Sequence, residues 1–208
     1  MKKMTKIGTV VATFLIAGVA NAITPGAYVG VGAGASILRT PDINNTTPGV
    51  STSQKRGGLG GRLFAGYNFT SNFGLEAAYA AYASSTAKAS IGNISASEKN
   101  SLNALSLVGK AYLPISDTGL NAYVLGGLAE VRSQERVTGH NIPASLTGTT
   151  TTNNLRPTYG IGMSYDLPSH MTTNVELSRI QGSGNMKTSD SAIPNADMIS
   201  LNLGYNFG

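Results

Sequence analysis

Apolar and polar residues alternate along most of this chain, and at its end the alternation is strict. In ISLNLGYNFG, Ile199, Leu201, Leu203, Tyr205 and Phe207 are apolar, while Ser200, Asn202, Gly204 and Asn206 are small or polar. A period of two marks a strand with one greasy face and one polar face. Seven further segments carry it: 26–38, 58–69, 73–83, 101–113, 120–131, 155–167 and 172–180. In 26–38, Val29, Val31, Ala33 and Ala35 oppose Tyr28, Gly30, Gly32 and Gly34. In 73–83, Phe73, Leu75, Ala77 and Tyr79 oppose Gly74, Glu76 and Ala78. The segment LNAYVLGGLAEV, 120–131, is poorly phased and its faces stay unassigned.

The connections alternate in length. Residues 39–57, 84–100, 132–154 and 181–196 are long and rich in Ser, Thr, Asn and Gly, while 70–72, 114–119 and 168–171 are short. Short turns at one end and long loops at the other are the layout of an outer-membrane barrel. The expected fold is all-β: an eight-stranded antiparallel up-and-down transmembrane β-barrel. Its greasy faces meet lipid, where a sheet must close to pair every backbone group. Glycines on the inner face, such as Gly30, Gly32 and Gly34, make room for inward Phe64 and Tyr112 in a lumen only as wide as its side chains. GVGAG is thus packing, not a nucleotide loop, which needs a following helix. Tyr67, Phe69, Phe73, Tyr165, Tyr205 and Phe207 point outward near the short turns, as an interfacial aromatic girdle does. This places the short turns in the periplasm and the long loops outside the cell.

The start of the chain agrees with that location. Lys2, Lys3 and Lys6 precede an apolar run from Ile7 to Ala20, and Ala20-Asn21-Ala22 is an A-x-A cleavage site. This predicts a signal peptide at 1–22, the apolar run being short of the roughly 20 residues of a spanning helix. The barrel domain is then 23–208. There is no cysteine, hence no lipid-modified cysteine, disulfide or thiol site. Without the three signal lysines, 12 Lys and Arg face 10 Asp and Glu, so the basic pI is no argument for nucleic acid.

GYNFTSNFGLEAAY (66–79) resembles the second hairpin of the OmpA-like and opacity-type outer-membrane barrels. GKAYLPI (109–115) resembles their fourth strand and its turn, and LNLGYNF their closing strand. The resemblance covers the whole chain after residue 22. It implies that Ile199, Leu201, Leu203, Tyr205 and Phe207 form the signal read by the barrel assembly machinery, although Gly208 follows the aromatic that usually ends the pattern. It also implies a Gram-negative outer-membrane location and, as in opacity-type relatives, surface contact or adhesion. The periplasmic peptidoglycan-binding domain of the longer OmpA-type proteins is not expected here.

Four charges fall on inward faces: Arg62, Glu76, Lys110 and Glu176. The resemblance points to ion pairs there. They either neutralise one another as a plug or line an ion path, and the plug is expected because an unpaired buried charge is costly. Arg39, Lys55, Arg56, Lys88, Arg132, Arg136 and Lys187 lie in the loops, for contact with lipopolysaccharide phosphates or a host or matrix ligand. Arg179, outward at the external end of its strand, best fits lipopolysaccharide.

An enzyme acting on lipid A needs His, Ser and a carboxylate at the outer rim. His170 falls in a short turn, the wrong end. His140 has Ser145 and Glu135 nearby in sequence, but a lone loop histidine is usually solvated. No enzyme, cofactor or metal site is expected. A general porin needs about 16 strands, so a narrow ion channel is the remaining transport reading. The expected state is a monomer.

Overall fold

The computed structural model describes residues 23–40, 50–115, 118–167, 169–182 and 193–208. The signal segment 1–22 and Lys187 lie outside them. The strands are β1 (Gly26–Arg39), β2 (Ser51–Lys55), β3 (Gly57–Asn68), β4 (Phe73–Ala81), β5 (Ser85–Ile91), β6 (Ile94–Ile115), β7 (Leu120–His140), β8 (Gly148–Leu167), β9 (Met171–Ile180) and β10 (Asn195–Asn206). All pairings are antiparallel. Eight strands form the ring β1-β3-β4-β6-β7-β8-β9-β10, and β10 returns to β1 from Tyr28↔Asn206 to Arg39↔Asn195. The closing strand is the alternating C-terminal segment, and Phe207 N–H donates to Ala27 O at 2.8 Å.

The phase of the strands follows the sequence. Val31, Leu63, Leu107, Ile161, Leu177, Ile199 and Leu201 are exposed on the outer surface. In water so broad an apolar surface would be an aggregation hazard; against lipid it is the required solvent match. The girdle residues Tyr67, Phe69, Phe73, Tyr165, Tyr205 and Phe207 are all exposed at the short-turn end. Inside, glycines face large side chains. A Cβ on Gly30 would overlap the Phe64 ring, and one on Gly162 the Tyr123 ring.

The short turns are fixed by local side-chain chemistry. Thr70 Oγ1 accepts from the backbone N–H of Asn72 at 3.2 Å and of Phe73 at 3.1 Å. Thr118 Oγ1 accepts from Leu120 N–H at 3.2 Å. Ser169 and His170 adopt φ of 68° and 63° in the β8–β9 turn.

Two features depart from the sequence reading. The fifth barrel strand, β7, is regularly phased after all. Asn121, Tyr123, Leu125, Ala129 and Val131 point inward and are buried, while Val124, Leu128 and Glu130 point outward. Its pattern is obscured because apolar Leu125 and Val131 fill the lumen and a carboxylate sits outside.

Second, 132–154, expected as a loop, is mostly strand, and 84–100, expected as a mobile loop or an extension of its hairpin, is the extension. β6 has 22 residues and β7 has 21, about twice the 9–11 residues a tilted strand needs to cross a bilayer. Their outer halves, with β5, β2 and the start of β8, form a five-stranded sheet, β2-β5-β6-β7-β8, rising beyond the apolar belt. The register of β6 on β7 runs unbroken from Ile115↔Leu120 to Ser95↔His140, so barrel and external sheet are one continuous surface.

Candidate functional site

The lumen is layered. Nearest the short turns, Ile23 packs with Val108, Tyr112, Tyr123 and Leu125, and the Tyr112 and Tyr123 rings lie 5.5 Å apart. Tyr28 meets Phe64 edge-on at 6.2 Å.

The four inward charges come next, and all of them meet. Arg62 on β3, Glu76 on β4, Lys110 on β6 and Glu176 on β9 are buried. Arg62 Nη2 donates to Glu76 Oε1 at 2.5 Å, and Arg62 Nη1 donates to Glu176 Oε1. Lys110 Nζ donates to Glu76 Oε2 at 2.6 Å and lies 3.5 Å from Glu176 Oε2. Two cations and two anions alternate around a closed cycle, so the group is neutral. Tyr28 donates to Glu76 at 3.1 Å and Tyr123 to Glu176 at 3.0 Å. Lys110 Nζ stands 4.9 Å from the Tyr123 ring centre, and the Arg62 guanidinium 5.1 Å from that of Phe64. Desolvating four charges is costly, and the cost is offset only by such complete mutual pairing.

Beyond the charges, toward the loops, the lumen lining is largely apolar, with Arg156 beside Ala129 on the inner face of β8. Leu38, Leu102, Ala104, Ala129, Val131, Ile180, Ile193 and Ala196 form a buried cluster against which Tyr82 packs. Two small cavities flank the charged layer. One of about 40 Å³ includes Glu76 and Lys110 in its wall; one of about 30 Å³ includes Arg62 and Glu176. Each has room for water but not for a hydrated ion.

A second charged group sits on the outer surface. Arg179 Nε and Nη2 donate to Asp197 at 2.5 and 2.9 Å, and Arg39 Nε donates to the same carboxylate at 2.6 Å. The trio carries one net positive charge at the external end of β1, β9 and β10. It borders a groove of about 530 Å³ lined by Ile37, Tyr159, Ile161, Leu177 and Ile199.

The residues weighed for catalysis do not converge. His140 and Glu135 are five apart on β7 and therefore on opposite faces of the strand. His140 and Ser145 are both exposed near the outer tip of the hairpin. His170 lies at the short-turn end, its Nδ1 3.1 Å from Gly208 O. No group of three or more His, Asp or Glu suited to a metal occurs among the described residues. Ile199, Leu201, Leu203, Tyr205 and Phe207 line up on the lipid side of β10, with the Tyr205 and Phe207 rings 5.1 Å apart.

The family model of the outer membrane protein beta-barrel domain matches residues 7–207. The chain belongs to this family. The outer-membrane barrel is similar to an uncharacterized protein of Coxiella burnetii, with 25% identity over 197 residues, 84% of this chain and 78% of that protein. Among solved structures it is similar to Neisserial surface protein A, at 13% identity and TM-score 0.58, covering 88% of this chain and 97% of that one. It is also similar to the N-terminal β-barrel domain of Pseudomonas aeruginosa OprF, at 16% identity and TM-score 0.53, over 88% of this chain and all of that one. OprG of the same organism matches at 11% identity and TM-score 0.52, over 88% of this chain and 97% of that one. The likenesses to solved structures establish the fold, and membership of the family the outer-membrane location.

The four lumen charges are legible in the sequence; the apolar layer above them is not, and neither is Asp197 as the partner of Arg179 and Arg39. Tyr28 was legible as an inward residue; its hydrogen bond to Glu76 depends on the barrel's curvature, which no single strand displays.

Proposed function

We propose that this barrel is a closed, non-enzymatic anchor whose external sheet and loops supply surface contact, with a structural role in the outer membrane. The observation that carries the reading is the lumen: a neutral, fully paired charged layer beneath an apolar cluster. An ion crossing it must break the cycle and then pass the apolar cluster, so the plug is favoured over a narrow channel. The protein acts as a monomer, its sheet edges being consumed by closure within the membrane. Membership of a family of small outer-membrane barrels fits this role, and relatives of the opacity type make adhesion to a host or matrix surface the natural trans activity.

Toward the membrane itself, Arg179 and Arg39 favour lipopolysaccharide. Their shared carboxylate neutralises one of two cations, and the remaining charge lies over an apolar groove, which matches a lipid phosphate above its acyl chain. The C-terminal alternation serves as the assembly signal.

The deciding experiment is single-channel recording of the protein in planar bilayers. A silent membrane is expected. Stable conductance steps whose cation selectivity changes in Glu76→Gln would instead make the protein a narrow channel and end the closed-anchor reading.

A further inference from the structure

The external sheet separates its charges by face. Register carries the lipid-facing side of the barrel upward without a break. The row Leu105–Glu130–Leu155 closes the apolar belt. Two residues higher is the row Asn103–Arg132–Asn153, and six residues higher the row Lys55–Thr86–Lys99–Arg136–Thr149. Beyond it comes Ser53–Lys88–Ser97–Thr138. Lys55, Lys88, Lys99, Arg132 and Arg136 therefore share the outer face, and all five are exposed. The opposite face of β6 and β7 carries Glu98 and Glu135. None of the five cations makes an ion pair among the described residues, and on their face the nearest carboxylate along β7 is Glu130, at the apolar boundary.

Lys99 and Arg136 stand directly opposite each other across the β6–β7 ladder. Like charges in that position destabilise a sheet. An anion bound on the outside would relieve the arrangement.

We infer that this basic sheet face binds the phosphate-bearing sugars of outer-leaflet glycolipid beside the barrel. The face points sideways, continuous with the lipid-contacting surface. Its central row lies about 20 Å along the strands above the last apolar row, at 3.4 Å per residue. What occupies that volume is the headgroup layer of neighbouring lipids. A molecule arriving from the medium first meets the hairpin tips around Gly92 and Asn141, which carry no comparable charge. This inference rests on the reading of the sheet as a contact surface and supplies its ligand chemistry.

The test is a titration of the detergent-solubilised protein with lipooligosaccharide bearing phosphorylated core sugars, against the same glycolipid stripped of phosphate. Each cation near an anionic surface contributes about a five-fold factor. Lys99→Ser with Arg136→Ser should therefore weaken binding roughly 30-fold, and phosphate removal should abolish the difference between variant and parent. Arg56, expected from sequence to share this contact, instead turns to the other face and donates to Gln54 Oε1 at 2.9 Å, so Arg56→Gln should leave affinity within about two-fold. Heat-modifiable migration on gels checks that each variant is folded.

Unchanged affinity in the double variant, equal loss in Arg56→Gln, or equal binding of the stripped glycolipid overturns the proposal. So does dependence on the pair only for soluble heparin, which would make the face a site for a polyanion from outside. A conducting barrel that still shows phosphate-dependent binding would refute the closed-lumen reading and leave this one standing.

Discussion

Lys110→Met is the most informative single change in the lumen. It keeps side-chain length and removes one of four balanced charges. Glu76, whose side chain is fully buried, loses its 2.6 Å partner, and Glu176 loses a neighbour at 3.5 Å. Three charges remain with a net value of −1. Removing one member of a buried pair costs about 3–5 kcal/mol. With a urea dependence of roughly 3 kcal/mol per molar, the unfolding midpoint should fall by about 1–2 M. Neutralising Glu76 as well, in Lys110→Met with Glu76→Gln, leaves the Arg62–Glu176 pair intact and restores electroneutrality. The double variant should therefore be less destabilised than the two singles added together, by about 2 kcal/mol. The chain has no tryptophan, so the assay is urea unfolding in lipid vesicles followed by circular dichroism and gel mobility. A Lys110→Met midpoint equal to that of Lys88→Met on the external sheet would refute the reasoning, as would strict additivity in the double variant.

Other expectations follow from the same geometry. Gly30→Leu should fail to fold or lose at least about 2 kcal/mol by overpacking against Phe64, and Phe64→Ala in the same chain should restore part of the loss in the same urea assay. Asp197→Asn leaves Arg39 and Arg179 without their shared carboxylate; exposed pairs of this kind are worth up to about 1 kcal/mol, so a modest midpoint drop is expected in neutral detergent and a smaller one in vesicles rich in anionic phosphate headgroups. Phe207→Ser should slow insertion by the assembly machinery in cells while leaving the equilibrium midpoint within about 1 kcal/mol; a large equilibrium loss would show that the aromatic matters to the folded barrel instead.

The parts of the fold that could be read from sequence were those where one face meets lipid and the other meets polar or small side chains. β1, β3, β4, the barrel part of β6, β8, β9 and β10 obey this rule, and their faces are legible in the sequence. β7 defeated it because the outer third of the lumen is apolar: Ala129 and Val131 belong to the cluster with Leu38 and Leu102, so both faces of the strand read as greasy. The external sheet defeated it for the opposite reason. Segments such as STAKASI are polar or small on both faces, and without a hydrophobic face a strand has no amphipathic signature. The lumen charges stood out because Glu76 and Lys110 interrupt otherwise apolar strands. Asp197 did not, because it sits beside polar loop residues, and only the register of β10 on β9 and β1 brings it to Arg179 and Arg39.

The four lumen charges also divide unequally along the chain. Arg62, Glu76 and Lys110 all precede residue 116, and Glu176 follows it. Within the cycle the N-terminal half of the barrel thus supplies a surplus positive charge, and the C-terminal half the single negative one. Neither half's share of the cycle is neutral by itself. The two halves are electrostatic complements, and the cycle is neutral only with β9 in place across the lumen from β4 and β6. The charged layer is therefore a latch between early and late hairpins, and two separately produced halves of this barrel should recognise each other through it.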